Sequence, residues 1–123
     1  MFNLLLVACG GATGAIFRYA ITNIIRIYFH QSIYGTFCIN ILGSFFIGYL
    51  ISIGYMKSLS ENFIKYFLII GFLGSFTTFS AFSFEVVELF LLKKYYLSFF
   101  YIFLTIFLCI VAAYIGMYIN NFD

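Results

Sequence analysis

Gly71-Phe72-Leu73-Gly74-Ser75-Phe76-Thr77-Thr78-Phe79-Ser80-Ala81-Phe82-Ser83-Phe84-Glu85 lies inside the third long apolar run of this chain, where a membrane helix is ordinarily featureless. The stretch carries two glycines, a Thr-Thr pair, three serines and a carboxylate, threaded through five phenylalanines. In lipid, polar side chains and weakened helix are tolerated where they face protein or a water-filled path. This stretch is expected to line such a path. The run it belongs to, about residues 63 to 92, is longer than a bilayer requires, so it must tilt or contain a break. The chain has no proline. Gly71, Gly74 and the hydroxyl cluster are then the natural place for a break near the middle of the third helix.

Composition sets the rest of the frame. Of 123 residues, 65% are hydrophobic and 8% charged, against about 25% charged in a soluble domain. Such a chain cannot cover a soluble surface and belongs in a bilayer. The runs predict an all-α membrane protein: one domain of four spans over residues 1–123, at about 2–25, 34–55, 63–92 and 96–119. A net charge of +2 with no basic tract gives no footprint for nucleic acid. Cys9, Cys38 and Cys109 all sit in apolar runs and read as small buried hydrophobes, and a single histidine, His30, excludes a histidine metal site. Leu6-Val7-Ala8-Cys9 has the look of a lipoprotein cleavage site, but no basic region precedes it and the apolar pattern continues through it, so it is read as part of the first span.

The first span holds Gly10-Gly11-Ala12-Thr13-Gly14-Ala15 and then Arg18. Gly10 and Gly14 form a GxxxG ridge of the kind that lets helices pack closely in lipid. Arg18 lies well inside the span and must snorkel or find a partner, in a structural or vestibule role or, as the alternative, in direct ion handling. A polar loop is expected from Arg26 to Ser32. The second span places Asn40 among apolar residues, where an interhelical hydrogen bond and a path-facing donor fit equally. A loop with Lys57 and Glu61 precedes the third span. In the fourth, Thr105 and Cys109 are four apart and share a helix face. Glu85, about two turns past Thr78, reads as a protein-facing partner for Arg18 or Lys93, or as a lining residue.

No nucleophile–base pair, metal cluster or nucleotide loop is present, so an enzyme is not expected and transport is. The hydroxyls of Thr77, Thr78, Ser80, Ser83 and Thr105 and the Asn40 amide donate hydrogen bonds, and no ring of carboxylates suits a cation path. Phe79 and Phe82, three apart, offer ring edges of partial positive charge. Together these suit a small anion. Carbonyls freed at a helix break coordinate small cations. Basic residues beside the membrane number two on one side, Lys57 and Lys65, and three on the other, Arg26, Lys93 and Lys94. So slight a bias lets the chain insert both ways, which permits an antiparallel, dual-topology dimer.

Three motifs in order carry a resemblance: Gly-Gly-Ala-Thr-Gly-Ala-Ile-Phe-Arg-Tyr at 10–19, Gly-Thr-Phe-Cys-Ile-Asn-Ile-Leu-Gly-Ser at 35–44, and the stretch at 71–85. With these, the chain resembles the bacterial fluoride channels (Fluc/CrcB family) over essentially its whole length. The resemblance implies a multi-pass protein of the cell membrane, assembled as an antiparallel homodimer with two fluoride pores. It implies passive fluoride efflux that lowers cytoplasmic fluoride, and a structural sodium ion at the dimer centre. It implies sodium-binding carbonyls at Gly74 and Thr77 and pore phenylalanines at Phe79 and Phe82. Asn40 would be a donor, Thr78, Ser80 and Thr105 would lie along the hydroxyl track, and Arg18 near the vestibule. Two positions depart from the family pattern: Ser75 stands where glycine is common, and Cys109 follows Thr105 where a hydroxyl is expected. The rival readings are a small four-span cation or drug antiporter, which needs a carboxylate in the first span where this chain has only Arg18, and a non-conducting subunit of a heterodimeric channel.

Overall fold

A backbone in lipid must satisfy its own hydrogen bonds, and apolar runs without proline do so as helices. The computed structural model describes residues 1–56 and 62–119, and every regular element among them is helical. Helix α1 spans Phe2–Phe29, α2 Ile33–Met56, α3 Phe63–Leu73, α4 Phe79–Leu91 and α5 Tyr95–Tyr118. A short helical turn, Gly74–Phe76, continues α3. Four stretches are long and apolar enough to cross a membrane: Phe2–Phe29, Ile33–Ile53, Phe63–Leu91 and Tyr95–Tyr118. Of the expected loop Met56–Asn62, residues 57–61 lie outside the described residues, Met56 ends α2 and Asn62 immediately precedes α3.

The first helix runs further than the sequence suggested. Arg26 is not in a loop but in the last turn of α1, where its guanidinium donates to Asn23 Oδ1 at 2.9 Å. A cation there complements the carbonyl end of the helix. Termination comes later, at His30, which adopts the left-handed conformation (φ 57°) with its N–H bonded to Arg26 O. The third segment also differs from expectation, because α3 is wound widely, with π-type bonding over 11 residues. Such winding is rare and usually confined to one turn.

Helix α1 lies along α3, and α2 along α5. Close approach is set by glycine. A Cβ on Gly10 would overlap the carbonyl oxygen of Phe67, and one on Gly14 that of Phe72. The GxxxG ridge thus seats against α3 within one chain. Backbone cannot rotate aside as a side chain can, so Gly14→Val is expected to cost about 2–3 kcal/mol, read as a lowered unfolding temperature in detergent. Two small cores fill the remaining space, Ile39 with Leu73 and Phe76, and Phe82 with Leu89 and Tyr101. Large apolar side chains such as Leu4, Phe17, Phe84 and Phe103 cover the outside, as lipid-facing surface does.

Candidate functional site

Helical winding in the third span stops at Phe76 and resumes at Phe79. Between them Thr77 (φ −80°, ψ 156°) and Thr78 (φ −149°, ψ 117°) are extended. Extended backbone turns its polar groups sideways, where they need partners that a helix no longer supplies. Asn40 of α2 meets both groups of Thr78: its Oδ1 accepts from Thr78 N–H at 2.8 Å, and its Nδ2 donates to Thr78 O at 3.0 Å. A primary amide can donate and accept side by side in this way, which an ionised carboxylate cannot. Thr78 in turn caps α4, its Oγ1 accepting from Ala81 N–H at 3.2 Å.

These bonds have a consequence for two carbonyls. In an unbroken helix, Thr78 N–H would bond Gly74 O, and Ala81 N–H would bond Thr77 O. Both donors are diverted here, one to Asn40 and one to the Thr78 hydroxyl. Gly74 is exposed in the single chain, and a Cβ there would meet only Ile69 O, at 3.7 Å.

A cavity of about 380 Å³ opens beside the extended pair. Asn40 and Ser44 line it from α2, Gly74, Thr77 and Thr78 from the interrupted region, Phe79 and Phe82 from α4, and Thr105 and Cys109 from α5. The lining carries no formal charge. Phe82 is buried, while Phe79 is 75% exposed in the single chain. Their rings lie 5.5 Å apart, and the Phe82 ring also packs on Tyr101 at 5.2 Å. Ser80 is exposed and is not among the lining residues, its hydroxyl lying 3.1 Å from that of Thr78.

Thr105 is the informative residue. It is 4% exposed, and its Oγ1 is the buried side-chain polar atom among the described residues that has no hydrogen-bond partner. Two other helical threonines, Thr13 and Thr22, bond back to the preceding turn, Thr22 to Arg18 O at 2.8 Å. A buried hydroxyl left unpaired costs about 1–3 kcal/mol, so the site holds a donor that a ligand could satisfy.

The profile of the family described as CrcB-like protein, Camphor Resistance (CrcB), matches residues 5–117. The chain belongs to this CrcB-like family. A relative from Campylobacter jejuni subsp. jejuni, 46% identical over 118 residues (95% of this chain and 96% of the relative), is named fluoride-specific ion channel FluC. Proteins from Dehalococcoides mccartyi, 36% identical over 122 residues (98% and 94%), and Agrobacterium fabrum, 39% identical over 118 residues (95% and 94%), carry the same name. These relatives are ion channels rather than enzymes. With four spans and such relatives, this CrcB-like chain is a multi-pass protein of the plasma membrane.

Within this CrcB-like chain the structure brings Asn40, Thr78, Phe79, Phe82 and Thr105 to one cavity together with Gly74 and Thr77, while Ser80 does not line it and reaches it only through the Thr78 hydroxyl. Arg18, on the half-buried side of α1, does not line that cavity, and Gly10 and Gly14 serve the α1–α3 contact. The expected partners of Glu85 are corrected. It pairs with neither Arg18 nor Lys93 but accepts from Thr36 Oγ1 and Tyr101 OH, each at 2.7 Å. Glu85 is 3% exposed, and through it α2, α4 and α5 are tied together. Thr36 and Tyr101 were not singled out in the sequence. A signal existed: Thr36 is one turn before Asn40, and Tyr101 one turn before Thr105, on the faces already in question.

Proposed function

We propose that this chain conducts fluoride passively through the cavity between α2, α4 and α5, allowing efflux that lowers cytoplasmic fluoride. The observation that carries the reading is the partnerless Thr105 hydroxyl in a cavity that also holds Asn40 and two phenyl rings. Fluoride is small and gives up its water only to close, strong donors. Asn40 uses one amide hydrogen on Thr78 O and retains a second. Thr105 offers another donor, and the Phe79 and Phe82 edges add partial positive charge. A larger anion gains less from such contacts in a narrow bore. The relatives' names supply the identity of the ion.

The working unit in this reading is an antiparallel homodimer with two pores, its third helices each broken at Thr77-Thr78. Support comes from the nearly balanced charges and from Phe79, which a second copy would cover. The carbonyls of Gly74 and Thr77, both deprived of their helical donors, fit a hard monovalent cation as backbone ligands. A sodium ion held there would supply positive charge and join the copies, without being transported.

Phe82→Ile tests the reading. The substitution keeps apolar bulk in the core but removes the ring edge. Fluoride current across a planar bilayer is expected to fall at least about tenfold, with the protein still eluting as one folded species. Unchanged current would assign Phe82 to packing alone.

A further inference from the structure

Cys109 lines the cavity, and the fluoride reading does not use the chemistry of its thiol. The chain has three free cysteines among the described residues, and they are not equivalent. Cys9 and Cys38 are exposed on the outer surfaces of α1 and α2. Cys109 is half-buried and lines the central cavity, one turn after Thr105. Its surroundings there are hydrocarbon and hard oxygen donors, so its sulfur is the soft ligand of the cavity. The unpaired, 4% exposed Thr105 hydroxyl is a second, independent sign that this place is built to receive a ligand.

We propose that Cys109 is a ligand site for thiophilic metal reagents, and that its occupation closes the fluoride path. The inference rests on the reading of this cavity as that path. A neutral reagent such as mercuric chloride can reach a thiol among apolar groups, where a free cation is strongly disfavoured. In the step, the Cys109 S–H bond breaks and an S–Hg bond forms. One chloride leaves mercury, the proton passes to water, and no oxidation state changes. The product, S–Hg–Cl, is a bulky group in the cavity that Thr105 and Asn40 also line.

The test is fluoride efflux from liposomes before mercuric chloride, after it, and after dithiothreitol, with mass spectrometry of the protein from each stage. The Cys9→Ser/Cys38→Ser variant keeps only Cys109. It is expected to slow at least about tenfold on treatment and to recover with dithiothreitol, with one mercury adduct on Cys109. Cys109→Ser, whatever its starting rate, is expected not to slow. Equal inhibition of both variants overturns the proposal, as does an adduct on Cys109 without inhibition, or no adduct there. Absence of efflux from both variants before treatment counts instead against the fluoride reading, and the adduct then still decides whether Cys109 is the ligand site.

Discussion

Asn40→Asp is expected to abolish fluoride efflux. The substitution is nearly isosteric, but it changes two things at once. The Nδ2 that donates to Thr78 O becomes an oxygen, setting two acceptors about 3.0 Å apart in a buried place. It also puts a negative charge on a cavity whose lining has no formal charge to balance it. At about 5 Å and an effective dielectric constant near 20, repulsion of a second anion is about 3 kcal/mol, which is more than about a hundredfold in occupancy. The measurement is efflux with a fluoride electrode, beside a size-exclusion profile in detergent to show that folded protein was reconstituted. Undiminished flux would remove Asn40 from the path and leave it as the brace of the extended pair.

The second large effect falls on stability. Glu85→Ala removes the acceptor of both Thr36 and Tyr101 and opens a void where three helices meet. Two orphaned hydroxyls and the lost side-chain volume together predict a loss of about 3–5 kcal/mol. Glu85→Gln tells the interpretation apart from a demand for a carboxylate. The amide carbonyl can accept from one hydroxyl, and the amide N–H can donate to the other once that hydroxyl rotates. Thermal unfolding in detergent is therefore expected to fall steeply for Ala and only slightly for Gln. Equal loss in both would mean that the contact needs the carboxylate itself.

The parts of this protein legible in sequence are those that lipid makes conspicuous. Spans show as apolar runs of bilayer length, and Thr77-Thr78 and Asn40 show because polar groups in such runs must have partners. Their mutual pairing is a different matter. Asn40 and Thr78 are 38 residues apart, and nothing local says that the amide braces the extended backbone. Glu85 is protein-facing as expected, but its partners are hidden for the same reason, since charge suggests a cation while the fold brings two hydroxyls to it. The wide winding of α3 left no trace, because Phe63–Leu73 is apolar on nearly all sides and such a run does not report its helical phase. Arg26 reads as the end of α1 because a charge closing an apolar run suggests a boundary. The left-handed turn at His30 sets it instead.

The central claim is that this chain, alone, forms a fluoride path through the cavity of Asn40, Phe82 and Thr105. Its most direct test is ion release from liposomes reconstituted with the purified protein, read with a fluoride electrode and repeated with chloride. The account predicts rapid fluoride release and chloride release no faster than from empty liposomes. No fluoride release from folded protein, or equal release of both ions, would contradict it.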